Sequence, residues 1–284
     1  MDPVHVERPS TPGLQSVVQR FWYLRAPSPQ RFERIVPIPS VHLIVNLADA
    51  PYRVLARGRE LVGDTFLRSF LAGVQMEYLL NENPPLIHHV GAALHPWALR
   101  AFDIDPDQAA RRVQDAASLF PGIDTFSSPL DSAAPDSAID ALETFLAKRI
   151  RHGWQADPRV VVAVNSMLAD PGRPIRELAI ESGLTPKGFS AAFQRHCGIT
   201  PKRFAEICRH QVFLAELPTE GELPRWSDLI GSDRYYDQPH FISEFRRFTG
   251  ITPTAYLQHR RRFGHGNPSF LPMDDELLAQ ALGG

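Results

Sequence analysis

Two stretches of this sequence place polar side chains at the spacing of one helical face. The outward-facing residues of the first stretch are Lys187, Ser190, Ala191 and Gln194, with Arg195 beside them. Those of the second stretch are Pro239, Ile242, Ser243 and Arg246, with Gln238, His240 and Arg247 beside them. Arginine and lysine bind phosphates or guanine edges, and glutamine pairs with adenine edges. These residue types therefore predict contacts with a DNA groove.

A second chemically competent set lies in the first third of the chain and comprises His42, Glu77, His88, His89 and His95. Such residues could hold a metal in a cupin-like barrel. Ligands on a strand must share one face, however, and the adjacent His88 and His89 point to opposite faces. We interpret them as structural or surface residues and predict no metal, no cofactor and no catalytic site. Nucleophile-elbow, Walker and His-Glu-x-x-His motifs do not occur in the sequence.

The two polar stretches lie on a pattern that occurs twice at a fixed offset. The first copy contains Phe189, Phe193, Gly198, Thr200, Pro201 and Phe204, and the second contains Phe241, Phe245, Gly250, Thr252, Pro253 and Tyr256. A repeat of this kind indicates one supersecondary unit used twice. At about 100° per residue the phenylalanines lie on the face opposite the polar residues, so we expect them to point inward.

Helix signals surround the first copy. Pro158 begins a predicted helix, Pro174 opens a second that ends at Gly183, and Thr185 caps a third that begins at Pro186. Two short helices joined by a glycine-containing turn are typical of a helix-turn-helix. Pro201 then begins a long helix that would link the two units at a fixed separation.

The first half of the chain is predicted to be rich in β-strands. Apolar runs separated by Pro, Gly, Asn and Asp are found at 21–24, 40–47, 52–56, 66–74 and 86–94. Segments 97–102, 107–117 and 138–151 are predicted as helices. The last of these either packs on its own barrel or provides a dimerisation surface. The fold class is therefore α+β, with a β-rich barrel or sandwich followed by an all-α domain of two helix-turn-helix units and a linker helix.

Three segments follow from this reading. Residues 1–155 are expected to form a regulatory or dimerisation domain, 156–263 a DNA-binding domain, and 264–284 a loose tail. Net charge is −2, but residues 157–263 contain 15 Lys and Arg against 12 Asp and Glu. The tail carries three acids and neither Lys nor Arg. The positive charge therefore lies with the repeat, as phosphate contact requires.

The sequence also predicts the compartment. No apolar signal segment and no run long enough to span a bilayer is found, so no membrane association is expected. Cys197 and Cys208 are the two cysteines, which fits the reducing cytoplasm better than a disulfide framework. We predict that both are buried structural thiols.

Residues 158–262 resemble the AraC/XylS-type bacterial transcriptional regulators. The resemblance rests on the two units, the linker helix, and the motif from Tyr235-Tyr236-Asp237 through Phe245 to Gly250-Ile251-Thr252-Pro253. The first half looks like the β-rich domains of that family around Val36-Pro37, 42–46 and 91–96. The resemblance implies promoter or operator DNA as partner. It further implies an N-terminal half that senses a small-molecule effector or mediates homodimerisation, and RNA polymerase as a partner.

The second unit departs from the family pattern at two positions. Ile230 stands where the first copy has the small Ala179, and Arg234 stands where it has Gly183. Ile230 would cost roughly 1–3 kcal/mol if uncompensated, and Arg234 with a positive φ would cost roughly another 1 kcal/mol. We therefore expect modest or effector-dependent DNA affinity. Two alternatives are a cupin-like metal enzyme with an accessory helical domain, and a degenerate regulator that acts through protein contacts.

Overall fold

A computed structural model of the chain describes residues 4–127, 134–218, 238–264 and 266–283. The strands in chain order are β1 (Val4–Glu7), β2 (Val18–Pro27), β3 (Phe32–Ile35), β4 (Val41–Asn46), β5 (Tyr52–Arg57), β6 (Glu60–Phe66), β7 (Ser69–Ala72), β8 (Leu79–Glu82), β9 (Leu86–Leu94), β10 (Val113–Asp115) and β11 (Phe270–Met273). Four predicted runs coincide with β2, β4, β5 and β9, and the run at 66–74 contains the end of β6 and all of β7.

The strands form two antiparallel sheets that face each other. One has the order β1-β2-β9-β4-β7-β10 and the other the order β11-β3-β8-β5-β6. Ile44 and Phe70 of the first sheet pack with Tyr52, Val54 and Leu79 of the second. The predicted β sandwich is confirmed, and we call it the β domain.

The helices in chain order are α1 (Pro106–Ala109), α2 (Ile123–Ser127), α3 (Pro135–Ala147), α4 (Pro158–Ala169), α5 (Ile175–Glu181), α6 (Pro186–Cys197), α7 (Pro201–Glu216), α8 (Gln238–Thr249), α9 (Pro253–Phe263) and α10 (Asp275–Gly283). Short 3-10 helices span Pro12–Leu14, Ala98–Phe102 and Ala116–Ser118. We call α4 to α9 the helical domain. Among the described residues, no helix combines the length and the apolar composition needed to cross a membrane.

Helix α3 covers the outer face of the six-stranded sheet. Its apolar residues Ala138, Ile139, Leu142 and Leu146 are fully buried in the same core as strands β2 and β9. Glu143 accepts hydrogen bonds from the Ser10 hydroxyl and the Thr11 backbone N–H. The apolar stripe of α3 is therefore used within the chain, as the first of the two predicted readings requires.

The helix predicted over 107–117 is wrong beyond its first turn. Helix α1 ends at Ala109, and Arg111 adopts a left-handed backbone conformation with φ 65°. Residues Val113–Asp115 then pair with Phe70–Ala72 as an edge strand. Pairing with the sheet satisfies these backbone groups in place of a helix, which the local sequence does not reveal.

The prediction of a loose tail is also wrong. Strand β11 pairs antiparallel with β3, with Phe270 opposite Ile35 and Met273 opposite Phe32. Leu271 and Met273 are buried. The apolar alternation of this short strand is interrupted by Pro272, which hid it in the sequence. The segment after the helical domain therefore completes the sheet of the β domain.

Candidate nucleic-acid interface

Helices α5 and α6 form the first helix-turn-helix unit. Gly183 in the turn has φ +66°, which an L side chain adopts only at a cost. The Thr185 hydroxyl accepts the backbone N–H of Gly188 at 3.1 Å and caps α6. Ala179, Phe189 and Phe193 are buried. The sequence prediction of this unit is confirmed in its turn, its cap and its core.

The predicted contact residues of α6 face solvent. Lys187, Ala191, Gln194 and Arg195 are exposed, and Ser190 is half-buried. The β domain touches this unit at the C-terminal end of α6. There Arg100 Nε donates to the Arg195 carbonyl at 3.0 Å, and Gly198 lies against the carbonyl of Pro106. These contacts leave the polar face of α6 accessible.

Helix α8 is the corresponding helix of the second unit. Phe241, Phe245 and Phe248 are buried. Among the predicted contact residues, Pro239, His240, Ser243 and Arg246 are exposed, and Ile242 and Arg247 are half-buried. Gln238 begins the helix, but its side chain lies outside the described residues, as do Ile230 and Arg234 and the motif residues Tyr235, Tyr236 and Asp237.

Each of these two helices ends in the same way. Gly198 and Gly250 have φ values of 73° and 71°. The next helix then begins at a threonine cap, where Thr200 accepts from the Arg203 N–H and Thr252 from the Ala255 N–H. The structure thus repeats the inward residues, the glycine and the cap at the predicted offset.

A network of charged groups fixes α8 to the linker helix α7. Glu206 on α7 accepts hydrogen bonds from Arg203 and from Arg247, each at 2.8 Å. Arg247 also lies 3.9 Å from Glu244. Burial by itself raises the pKa of Glu206, but the two arginine hydrogen bonds outweigh it and hold that pKa below its ordinary value. Arg247 therefore joins the two helices, a role that sequence reasoning missed because its partner is 41 residues away.

His210 completes the same contact. Its ring stacks on Phe248 at 4.8 Å and meets Phe245 edge-on at 5.1 Å. Burial lowers the pKa of His210 to about 3, so the ring is neutral at physiological pH. A neutral ring between two phenylalanines acts as an apolar spacer between α7 and α8.

The outward face of α8 forms one wall of a cleft between the two domains. Its volume is about 950 Å³, and we call it the interdomain cleft. The residues on the helical side are Pro239, Ile242, Ser243, Arg246, Arg247 and Gly250, and those on the β side are Gly58, Arg59, Glu77 and Tyr78. A Cβ atom on Gly250 would lie 2.6 Å from the ring of Tyr78. The two domains are therefore in direct contact beside the second polar face.

The histidines of the β domain have separate protein partners. His88 bonds the hydroxyl of Tyr23, His89 bonds Trp22 and Tyr52, and His95 stacks on Trp97 with ring centroids 4.4 Å apart. His42 bonds Ser40 at 2.9 Å. Burial lowers the pKa of His42, His89 and His95 to about 4 in each case. His88 and His89 point to opposite faces, as predicted.

One group of described residues has the spacing of metal ligands, namely His5, Glu7 and Asp136 on the surface. His5 lies 2.7 Å from Glu7 and 3.1 Å from Asp136. The five residues considered in the sequence are not part of it. Cys197 and Cys208 are buried free thiols, as predicted, and burial raises the pKa of Cys208 to about 12.

Comparison with known protein families decides between these readings. Residues 178–259, which span both polar faces, match a family model described as a helix-turn-helix domain. These residues form a helix-turn-helix domain, and the protein is a DNA-binding transcriptional regulator. Residues 6–109 of the regulator match a second family model, described as a domain of unknown function (DUF6597). A comparison with curated proteins finds no match to the regulator.

Several solved structures are similar to the regulator at low sequence identity. ToxT from Vibrio cholerae is 9% identical with a TM-score of 0.46, and the match covers 93% of this chain and 100% of ToxT. Unsaturated fatty acid bound ToxT is 10% identical with a TM-score of 0.40, covering 90% of this chain and 95% of that one. The AraC-like transcriptional activator CuxR is 12% identical with a TM-score of 0.25, covering 75% of this chain and 87% of CuxR.

Proposed function

We propose that the regulator binds promoter DNA with α6 and α8 in successive major grooves on one face of the duplex, about 34 Å apart. The proposed DNA-contacting residues are Lys187, Ser190, Ala191, Gln194, Arg195, Gln238, Pro239, His240, Ile242, Ser243, Arg246 and Arg247. The single observation that carries this proposal is the helix-turn-helix match over both helices. The outward exposure of both polar faces supports it.

Within this set the side chains have different proposed roles. Lys187, Arg195 and Arg246 are exposed cations that would neutralise phosphates or pair with guanine, and Gln194 and Gln238 would pair with adenine. Ser190 and Ala191 are small and would make few base contacts. Arg247 would act mainly by positioning α8, because its guanidinium already binds Glu206.

We propose residues 1–155 as the regulatory domain and residues 156–263 as the DNA-binding domain. A small-molecule effector or a second copy of the chain would act on the first domain, and RNA polymerase would be a further partner. One buried core that runs from Phe21 and Leu43 through Phe193 to Phe245 supports mechanical coupling of the two domains. The regulator would work in the cytoplasm, which the two free thiols support.

The test is binding of the full-length chain to its own upstream DNA across a salt series. We expect a steep fall of affinity with salt and a preference over a shuffled duplex of equal composition. Lys187→Ala should reduce the salt slope by about 1, because one phosphate contact is lost. Equal affinity for the native and shuffled duplexes would contradict sequence-specific readout, and no DNA binding at all would favour action through protein contacts.

A further inference from the structure

The segment 266–283, which we call the strap, returns from the helical domain to the β domain. Strand β11 becomes the edge of the five-stranded sheet by pairing along the whole of β3. The Val36 N–H donates to the Ser269 carbonyl at 2.8 Å and extends this pairing by one step. Helix α10 follows, and its residues Leu277, Leu278 and Ala281 pack against the same apolar cluster as Met273.

The strap also holds the helical domain. The Tyr256 hydroxyl on α9 donates to the Pro268 carbonyl at 2.7 Å, and Arg262 on α9 pairs with Asp274. Gln211 on α7 bridges the domains, because its side chain donates to the Pro37 carbonyl at 2.7 Å and accepts from the Ser269 hydroxyl at 3.0 Å. The strap is therefore bonded to the linker helix, to α9 and to the sheet at once.

One aromatic residue connects the strap to the second polar face. Tyr78 belongs to the cluster that the strap covers, together with Met273, Phe32 and Leu80. The Tyr78 ring also lies against Gly250, the residue that follows α8. Tyr78 therefore contacts both the cluster under the strap and the end of α8, and it lines the interdomain cleft.

The closed cleft conflicts with the entry of α8 into DNA. A recognition helix lies in a major groove about 12 Å wide, with phosphates on both sides. The wall opposite Ser243 and Arg246 is formed by Gly58, Arg59, Glu77 and Tyr78, so a duplex on this face would meet the β domain. The second polar face is exposed to solvent, but the β domain lies across the interdomain cleft from it, where the duplex would have to enter.

The connection between α9 and β11 is short. Six residues, 264–269, separate Phe263 from Phe270, so the fully extended connection spans at most about 25 Å. Helix α9 therefore cannot move far from the sheet edge while β11 remains paired. Helix α8 packs on α9 through Phe245 and Tyr256, with ring centroids 5.5 Å apart, so it shares this restriction.

We propose that the strap is an autoinhibitory clamp that keeps the second helix-turn-helix unit closed on the β domain and leaves the first unit accessible. This inference rests on the proposed DNA contacts of α8. The clamped chain binds DNA through one unit, and opening of the interdomain cleft adds the second. The strap thereby sets the resting affinity of the regulator.

The test lengthens the connection without removing the strap. A flexible Gly-Ser insertion of about ten residues after Gly266 leaves β11 free to pair with β3 and removes the covalent restraint on α9, although its bonds through Tyr256 and Arg262 still hold it to the strap. The matched control carries the same insertion after Gly283, beyond the strap. Both variants keep the buried residues Leu271 and Met273, so the β domain retains its edge strand. A urea unfolding curve checks that each variant is folded.

The first readout needs no DNA. Spin labels on Arg59→Cys and Ser243→Cys, both exposed across the cleft, report its width by pulsed electron resonance in each background. Labelling is selective because Cys197 and Cys208 are buried. We expect one narrow distance distribution in the native and control chains and a broad, longer one after the insertion at Gly266. An unchanged narrow distribution would overturn the clamp.

The second readout is affinity for a duplex selected from a random pool by the insertion variant. We expect about tenfold tighter binding than the native chain, since a competent second unit is then populated. A wider cleft without tighter binding would overturn the autoinhibitory role while leaving DNA binding intact. If neither the native chain nor the variants select a DNA sequence, the proposed DNA contacts are wrong, and so is the autoinhibitory role. The spin-label distances would still show whether the strap keeps the interdomain cleft closed.

Discussion

The two helix-turn-helix units share one scaffold and occupy different surroundings. Phe193 and Phe245 fill the same inward position, and Gly198 and Gly250 end the two helices with the same backbone angle. Outside the scaffold they diverge. Arg195 is exposed, whereas its counterpart Arg247 is bound to Glu206 on the linker helix.

The difference shows how a duplicated motif acquires two roles. The two copies share their inward phenylalanines and the threonine cap of the following helix, because these residues build the buried scaffold. The outward residues are free to change, and in the second copy they add an ion network and a wall of the interdomain cleft. The polar face of the first unit is exposed to solvent, whereas that of the second unit lines the interdomain cleft.

The largest expected effect tests whether the scaffolds are equal. Phe193→Ala and Phe245→Ala each remove a fully buried ring and should lower the free energy of unfolding by about 3–5 kcal/mol. Urea denaturation of the full chain measures both. Similar decreases in the free energy of unfolding would show that the two units depend equally on their buried rings. A decrease below about 1 kcal/mol for one substitution would show that they do not.

The stability of the chain should depend on pH through strand β3, which pairs with the strap. Within the described residues, α9 ties the second unit to the strap. Burial raises the pKa of Glu33 on β3 to about 7, although a hydrogen bond with Asn83 opposes this. The folded state thus binds the proton more tightly than the unfolded state. The contribution of the protonated Glu33 carboxyl to the free energy of unfolding is about 3 kcal/mol at most. It is fully present below pH 4.5 and is lost as the pH rises through 7.

The control for this effect is Glu33→Gln, which cannot ionise. The difference in unfolding free energy between the native chain and Glu33→Gln should depend on pH between 4.5 and 7 and level off above. His42 and His89, with pKa values lowered to about 4, act in the opposite direction in both chains and cancel in the difference. If this difference did not depend on pH, the pKa of Glu33 would be the same in the folded and unfolded states.

Arg247→Gln should separate the units at intermediate cost. It leaves Glu206 with Arg203 as its remaining partner in a half-buried site, which we expect to cost about 2 kcal/mol of stability. The matched Arg195→Gln in the first unit should change stability by less than about 0.5 kcal/mol. A double-mutant cycle with Glu206→Gln should recover most of the Arg247 cost, and additive effects would contradict the pairing.

The smallest effects concern the polar faces. Gln194→Ala should weaken DNA binding of the native chain by about tenfold, as expected for one lost base contact. Arg246→Ala should change native binding little, but weaken the chain with the lengthened connection by a similar factor. Equal sensitivity of the native chain to both substitutions, measured by titration of the selected duplex, would mean that both units already touch DNA.

The scaffold could be predicted from the sequence because its signals are local. Gly183, Thr185 and the spacing of Phe189 and Phe193 determine a turn, a cap and a buried face within a few residues. The same holds for Leu86–Leu94, whose predicted bounds match strand β9. Where a chain segment satisfies its own hydrogen bonds or presents one apolar face, its sequence is sufficient.

The remainder depends on partners far away in the chain. Strand β11 exists because β3 offers an open edge, and Val113–Asp115 is a strand because Phe70–Ala72 lies beside it. The contact between the Tyr78 ring and Gly250 depends on the absence of a side chain at Gly250, and the sequence gives no other sign of it. The spacing predicted that Pro239, Ser243 and Arg246 of α8 point outward, and they are exposed, but the opposite wall of the interdomain cleft could not be foreseen.

The pairing of β11 with β3 has a consequence for the order of biosynthesis. Strand β3 emerges early from the ribosome, and its partner emerges only after both helix-turn-helix units. Until then the sheet carries a bare edge, which is a template for pairing with other chains. A nascent chain that stalls after α9 would therefore expose the unpaired edge of β3, and its two helix-turn-helix units would lack the strap.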